Sequence, residues 1–584
     1  MSLIVQKFGG SSVATPDRIL AVRDRILATR TQGHQVVVVV SAMGKTTDAL
    51  LQLAHDVTAQ QIHAASPREL DLLLASGEQV TIALLAIALQ VAGQPAIALT
   101  GGQARIYTEA HHQRARILHI DTSVMQTHLA EGQVVVIAGF QGVIADQPSE
   151  ITTIGRGGSD TSAVAIAAAL KADLCEIYTD VAGIFSTDPH LVPSAQMIPA
   201  IACDEMLELA SMGAKVLHPR AVEIARNFGI KLAVRSSWTD QAGTLVLSPT
   251  YSQGALDSIE INRFVEGITL DTDCAQIALL QVPDSPGIAA QLFEALAGAG
   301  IDVNLIVQAV QEPAGVNDIA FTTALADAEL AQTITANLNL GAVVADLDIA
   351  IVSIVGAGIM GRPSVAAQMF TALAQAGINI LMISTSEIKV SCTIKSSLKD
   401  QAIAALQASF AVPLLPADPP SNQELRSPVR GVALDQNRAR IAVSQIPDRP
   451  GVAALLLHEL AEQGIGVDAI VQSYAQKQEN QIALTVQSSD RYRAEQILQK
   501  VVQKLGCGIV SSDDGIARVS IVGMGMVRHP GVAAKMFRAI AQAGINIEMI
   551  STSEIKVSCI VKQERAVEAL QVVHQTFILN TLHT

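Results

Sequence analysis

Residues 353–392 read SIVGAGIMGRPSVAAQMFTALAQAGINILMISTSEIKVSC, and residues 520–559 return as SIVGMGMVRHPGVAAKMFRAIAQAGINIEMISTSEIKVSC. Ser384 and Ser551 open identical STSEIKVSC strings, an offset of 167 residues. A weaker pair stands beside it: VPDSPGIAAQLFEALAGAGIDV from Val282 recurs from Ile446 as IPDRPGVAALLLHELAEQGIGV, an offset of 164. The C-terminal half is therefore a tandem pair of small units, duplicated, and such repetition decides architecture ahead of any single motif. Each unit reads strand, turn, amphipathic helix ending in Gly, two strands and a second helix. In the first copy the helix is placed at 364–375, with Gly377 as its stop. The pattern is βαββαβ, the ferredoxin-like arrangement. Boundaries fall at 264–345, 346–411, 431–512 and 513–584. Between the pairs, 412–430 holds Pro413, Pro416, Pro419, Pro420 and Pro428 and reads as a stiff linker.

Residues 1–248 contain no copy. Ser2–Phe8 reads as a buried strand running into Gly9-Gly10-Ser11-Ser12, with a helix from about Pro16. Five valines at 36–40 mark a second buried strand before Ser41-Ala42-Met43-Gly44. Further strands are placed at 96–100, 134–139 and 175–179, and an Ala-rich helix at 162–170. Strands alternating with helices predict an α/β domain with a mainly parallel sheet covered on both faces.

Composition agrees. The 584 residues are too many for one core. Apolar residues make up 49% and aromatics only 3%, which suits α/β layers. A net charge of −15 argues against a nucleic-acid partner, which needs a positive surface. The six cysteines form no CxxC pair, so no metal or redox motif is read. No N-terminal stretch reads as a secretion signal, and the longest apolar run, 82–89, is about eight residues, well short of a membrane span. A cytoplasmic location is the expectation.

Two familiar motifs fail on inspection. Gly356, Gly358 and Gly361 spell GxGxxG, but the duplicate has Arg528 at the third glycine and no ribose-binding acid follows. Gly44-Lys45-Thr46 resembles the end of a phosphate loop, but its first glycine would fall on Val39. Three other loops just past strands are better placed, because ligands of open α/β sheets sit there. Lys7-Phe8-Gly9-Gly10 sets an ammonium beside approachable amides. Gly155-Arg156-Gly157-Gly158-Ser159-Asp160 sets a guanidinium and a carboxylate at a helix start, an anion site by charge and dipole. Tyr178-Thr179-Asp180 offers polar ends to a nucleotide. Any one of them alone is also an ordinary capped turn; together they point to phosphate chemistry.

VQKFGGSSV, SAMGKTTD, ASGEQ, TIGRGGSDTSAVAIAAAL, YTDVAGIFSTDP and SMGAKVLHPRAVE, in that order, resemble the motifs of aspartate kinase (aspartokinase), a member of the amino-acid kinases. The repeats resemble its C-terminal ACT domains, here four rather than the usual two. The resemblance implies an amino-acid kinase sandwich, followed by the four ACT domains. It implies phosphorylation of the β-carboxylate of L-aspartate by ATP with Mg2+, the entry to lysine, threonine and methionine synthesis. Lys7 would neutralise the transferring phosphoryl group, and Asp160 would orient Lys7. Arg156 would grip the aspartate α-carboxylate and Glu78 its ammonium, with Ser41, Thr47 and Ser159 completing the substrate site. Gly9, Gly10, Thr179, Asp180, Phe185, Asp188 and Lys215 would flank the nucleotide. The family often has Tyr at Phe185 and Arg at His190, so the role of His190 is left open.

Effector residues implied by the resemblance are Asp284, Gly287, Ile288, Asp302, Val303, Gln308, Asn379, Ile380, Thr385 and Ser386 in the first pair. In the second they are Asp448, Gly451, Val452, Asp468, Asn546, Ile547, Thr552 and Ser553. Lysine and/or threonine are the expected effectors, with unequal sites because Ser364 stands where Gly531 does. At least a homodimer through the ACT domains is expected, since a lone small unit leaves an uncovered sheet edge. Truncation near Val412 is expected to remove the second pair and keep the kinase and the first, leaving the chain active with a changed effector response. The rivals are another amino-acid kinase, such as one acting on N-acetylglutamate, and a non-enzymatic amino-acid sensor. Glu78 opposes the first, and intact Lys7, Arg156 and Asp160 oppose the second.

Overall fold

A computed structural model of the chain describes residues 2–213, 216–249, 259–260, 264–310, 315–359, 362–416, 428–472, 479–526 and 529–578. The chain forms two units, Met1–Phe185 with Met197–Asn262, and Ser186–Gln196 with Arg263–Thr584.

The first unit runs β1 (Leu3–Phe8), α1 (Pro16–Thr31), β2 (Gln35–Val40), α2 (Thr46–Val57), α3 (Pro67–Val91), β3 (Ala96–Leu99), β4 (Ile106–Thr108), β5 (Ile117–Ile120) and α4 (Ser123–Ala130). It continues through β6 (Val134–Ala138), β7 (Gln141–Ile144), β8 (Gln147–Thr153), α5 (Gly158–Leu170), β9 (Leu174–Thr179), β10 (Ala200–Ala202), α6 (Cys203–Ser211), α7 (Pro219–Phe228), β11 (Leu232–Ser236) and β12 (Thr244–Leu247). Its main sheet has the order β10-β12-β11-β9-β1-β2-β6-β3. The central pairs β9–β1, β1–β2 and β2–β6 are parallel, as expected. Val36 to Val40 are all buried, because helices cover both faces and leave no polar side to alternate with. Thr15 caps α1 by accepting from Arg18 N, and Pro16 opens it. α5 begins four residues before its expected start, so Asp160 lies in its first turn. A second sheet, β5-β4-β7-β8, was not anticipated. Three of its strands are only three or four residues long and carry no readable period.

Among the described residues α3 alone has the length and hydropathy to cross a bilayer. It also buries two carboxylates, Asp71 and Glu78, seven residues apart on one face, which is the mark of a core helix.

The second unit runs β13 (Gly267–Asp271), β14 (Ala275–Pro283), α8 (Ile288–Gly298), β15 (Ile306–Val310), β16 (Val316–Thr323), α9 (Ala328–Asn337), β17 (Ala342–Asp346), β18 (Ile349–Val355), α10 (Pro363–Gln375), β19 (Met382–Thr385), β20 (Lys389–Lys395) and α11 (Lys399–Phe410). The duplicate follows as β21 (Gly431–Pro447), α12 (Val452–Glu462), β22 (Val467–Gln472), β23 (Glu479–Gln487), α13 (Arg491–Leu505), β24 (Ile509–Val522), α14 (Val532–Gln542), β25 (Met549–Ser553), β26 (Lys556–Lys562) and α15 (Ala566–Ile578). The βαββαβ order is present in each copy. The long β21 corresponds to β13 and β14 together, and β24 to β17 and β18 together. β13 pairs with β18, so the first strand of the 264–345 segment lies in the sheet of the second small unit.

The small units do not pair in sequence order. β15 of the first joins β25 of the fourth, antiparallel, at Val307–Ser551 and Gln308–Ile550. That junction closes a ten-stranded sheet, β17-β14-β16-β15-β25-β26-β24-β21-β23-β22. α8 packs on α14, and α10 on α12. Phe293 and Phe537 lie 5.4 Å apart in the core shared by units one and four. Units two and three share another, holding Phe370, Leu373, Leu456 and Leu460.

Candidate active site and effector clefts

The sheet order puts the carboxyl ends of β9, β1, β2 and β6 side by side, and the candidate residues gather on the loops that leave them. Lys7, next to last on β1, is 9% exposed, and its Nζ lies 2.6 Å from Asp160 Oδ1. Gly10 must be glycine: a Cβ there would stand 2.9 Å from Gly44 O and 3.1 Å from Ala42 O. The loops after β1 and β2 are thus pressed together, with Gly44 N bonded to Gly10 O at 3.0 Å and Ser41 N to Phe8 O at 3.1 Å. Thr47 is the second residue of α2, just beyond.

Glu78 reaches this place from α3. Its Oε1 accepts Ala42 N at 3.0 Å, while Oε2 is buried with no hydrogen-bond partner among the described residues. Burial pushes its carboxyl up to about 7, against the opposing pull of the Ala42 amide.

Gly155 and Gly157 both take positive φ, +87° and +68°, and swing the chain from β8 into α5. A Cβ on Gly157 would overlap the His218 ring. Arg156, between them, is exposed and makes no ion pair with the described residues. Ser159 is buried beside Gly139, whose added Cβ would come within 2.9 Å of it. Thr179 Oγ1 donates to Asp180 Oδ1 at 3.0 Å past the end of β9.

Lys7, Gly9, Gly10, Ser41, Glu78, Ser159, Asp160 and Thr179 therefore share one edge of the sheet. Phe185 ends the first stretch of this unit, bridged to Met197. Asp188 and His190 do not stay with it. They lie on Ser186–Gln196, which is built into the second unit. There Val432 N donates to Ser186 O at 2.7 Å, Ser186 Oγ lies 2.9 Å from His574 Nε2, and Gln571 Nε2 donates to Leu191 O at 3.1 Å. Lys215 lies outside the described residues.

Sequence reasoning passed over His218, Arg220, Glu260 and Asp71. His218 caps α7, its Nδ1 accepting Arg220 N at 3.3 Å, and burial, then Arg220, hold its imidazole below the usual range. The proline after it was the available signal, since Pro219 marks a helix start.

In the second unit the effector candidates sort into two small clefts. Asp284, Gly287, Ile288 and Gln308 line one together with Asn546 and Ile547. Asp284 Oδ1 accepts from Asn317 at 2.9 Å and Asn546 at 2.8 Å. Asp448, Gly451 and Val452 line the other together with Asn379 and Ile380. Asp448 Oδ1 accepts from Asn379 at 3.0 Å and Asn480 at 3.3 Å. The grouping by sequence order is thus corrected: each cleft takes residues from both copies, because the units pair one with four and two with three. Buried Gln308 Oε1 and Asn317 Oδ1 in the first, and Gln472 Oε1 in the second, have no partner among the described residues.

Asp302, Val303, Thr385, Ser386, Asp468, Thr552 and Ser553 line neither cleft. Thr552 Oγ1 accepts Ile306 N at 2.6 Å and Thr385 Oγ1 donates to Asp468 O at 3.0 Å, so both serve the junctions between units. Asp468 pairs with buried Arg438. Ser364 and Gly531 also lie outside the linings; the clefts differ instead in charge at Ser285 and Arg449, and by one methylene each at Val282 and Ile446 and at Ile288 and Val452.

The amino acid kinase family model matches residues 2–236, and ACT domain models match 277–339, 352–410 and 519–577. An aspartokinase of Bacillus sp. (strain MGA3) is 47% identical over 415 residues, 70% of this chain and 97% of that protein. Aspartokinase 2 of Bacillus subtilis (strain 168) is 46% identical over 414 residues, 70% of this chain and 98% of its own length. A crystal structure of aspartate kinase from Synechocystis superposes with a TM-score of 0.87 at 51% identity, covering 100% of this chain and 99% of that one. The chain belongs to the aspartokinase family.

Proposed function

We propose that this aspartate kinase transfers the γ-phosphoryl group of ATP to the β-carboxylate of L-aspartate, giving 4-phospho-L-aspartate. A carboxylate is already a nucleophile, so the site needs positioning and charge stabilisation rather than a strong base. Lys7 neutralises charge on the transferring group, and Asp160, 2.6 Å away, orients it. Arg156 grips the α-carboxylate, and Ser41, Thr47 and Ser159 bound the substrate. Gly9 and Gly10 admit the phosphates closely, with Thr179, Asp180 and Phe185 toward the rest of the nucleotide. Mg2+ bound with ATP would offset charge on the phosphates beside Lys7.

The observation that carries this reading is the buried Glu78 Oε2 without a partner, at the edge where Lys7 and Asp160 meet. It suits an ammonium, and it disfavours an N-acetylated substrate. Ammonium binding needs ionised Glu78, whose carboxyl titrates at about 7. The aspartate KM should therefore rise roughly tenfold from pH 8 to pH 6, while Glu78→Gln has a high KM at both. A flat KM profile in the wild type would exclude Glu78 as the ammonium ligand. The folded value lies above the ordinary 4.5, so the stability allowed by neutral Glu78 is full below pH 4.5 and is lost as pH rises through about 7. Glu78→Gln should accordingly raise Tm at pH 8 and leave it unchanged at pH 4.

Regulation belongs to the same proposal. Each cleft offers an aspartate, amide side chains and turn amides to the ammonium and carboxylate of an amino acid, with lysine and/or threonine as the feedback ligands of a lysine, threonine and methionine pathway. The protein acts in the cytoplasm as at least a homodimer through its ACT domains. Calorimetry on the intact chain should find two effector sites per subunit, and Asp284→Ala should remove one and leave the other. One site, or none, in the wild type would make a cleft structural.

A further inference from the structure

We propose that Arg220 and Glu260 are positioning residues for aspartate, holding the loop that carries Arg156; this rests on Arg156 gripping the α-carboxylate. Arg220, in the first turn of α7, spends its guanidinium on main-chain oxygens of that loop's base. Nη1 donates to Ile154 O at 2.6 Å, and Nη2 to Ala115 O at 2.9 Å. Ile154 stands two residues before Arg156, and Ala115 N is itself bonded to Thr153 O at 3.0 Å. The fork is fixed from behind: Nε donates to Glu260 Oε1 at 2.8 Å and Nη2 to Oε2 at 2.7 Å, a two-point pair that sets the plane of the guanidinium. Glu260 is 5% exposed, and its Oε2 also accepts Ile117 N at 2.6 Å.

With Glu260 buried and Arg220 partly so, the pair contributes little net stability over apolar groups of like size, because desolvation offsets the attraction. What it supplies is direction. Gly155 and Gly157 give the Arg156 loop backbone freedom, and a loop with two left-handed glycines needs an outside brace to keep one geometry. Asp71 braces the strand side, accepting Thr153 N at 3.0 Å and Thr153 Oγ1 at 2.6 Å. Arg220 braces the next residue. Glu260 lies beyond residue 236, where the kinase family match ends, and three residues before the chain enters the second unit at Arg263. The aspartate loop is thus tied to the segment that leads into the regulatory unit.

The test is a double-mutant cycle in the full chain. Glu260→Gln and Arg220→Lys should each raise the aspartate KM about tenfold or more and move the ATP KM less than about twofold, since lysine lacks the planar fork. In an Arg156→Lys background the same changes should add less than about twofold, because they act through Arg156. Full additivity, or equal rises for both substrates, overturns the proposal. So does a fall in Tm with unchanged KM values, or failure of Glu260→Gln, Glu260→Asp and Arg220→Lys alike to fold; either result makes the pair a brace of the fold only. If Arg156→Lys itself leaves the aspartate KM unchanged, the assignment of Arg156 fails, whatever the other variants do.

Discussion

Lys7→Ala should leave a folded chain whose turnover falls at least a hundredfold. The effect on the fold is small for a definite reason. Lys7 sits on β1 between β2 and β9, and its backbone register, Lys7 with Val39 and with Ile177, is held by main-chain bonds that alanine keeps. The lost ion pair leaves Asp160 at the rim of a helix N-terminus, where the dipole still favours its charge. The effect on chemistry is large because phosphoryl transfer to a carboxylate brings several negative oxygens together, and a preorganised cation at that point is worth about two to three orders of magnitude. Circular dichroism checks the fold, and ATP turnover with saturating aspartate checks the rate. A folded variant that keeps a tenth of wild-type turnover would remove Lys7 from the reaction. Asp160→Asn should lie between the two, since it keeps the hydrogen bond and loses the charge.

Much of the Lys7 site was legible because its parts are local. A glycine loop after a valine-rich strand, or an Arg-Gly-Gly-Ser-Asp string before an Ala-rich helix, states its own geometry within ten residues. Asp71, Arg220 and Glu260 were not legible, because their work is long-range. Asp71 meets Thr153 across 82 residues, and Arg220 meets Ile154 across 66. Glu78 was placed by resemblance, but its free oxygen and raised titration exist only once the loop after β2 folds over it.

The pairing of the repeats was illegible for a different reason. Two near-identical copies offer the same edges and faces, so local pattern cannot choose between one with two and one with four. Ser384 and Ser551 open the same string, yet Ser384 Oγ donates to Thr552 O while Ser551 pairs with Val307. Only the register of β15 on β25 decides it. The same near-identity hid the exchange of β13 into the second small unit, which continuous β21 makes plain in the duplicate.

That crossing changes what truncation should do. Pro413 O and Leu415 N both bond Ile268 in β13, so a clean cut falls after Pro416 rather than at Val412. It removes units three and four, and with them half of each cleft: Asp284 loses Asn546, and Asn379 loses Asp448. β15 loses its neighbour, Phe293 loses Phe537, and α10 loses α12. Each large apolar side chain left facing water costs about 1.5–3 kcal/mol, so a few of them take much of a domain's net stability of about 5–15 kcal/mol. The truncated chain therefore cannot keep a working effector pair as a monomer. It does have a remedy. Unit two is the repeat counterpart of unit four, and unit one of unit three, so a second truncated chain presents the missing faces. Residue by residue, Asn379 of that second copy would stand where Asn546 stood. The truncated protein should then be an obligate dimer, with inhibition absent at nanomolar chain concentration and returning as dimer forms, while the intact chain responds alike at both. Ser186 also loses Val432 and His574, so the segment bearing Asp188 loses two of its anchors. Light scattering and inhibition measured over the same dilution series decide the matter. A truncated monomer with undiminished inhibition would show that the clefts between units one and four, and two and three, are not where the effectors act.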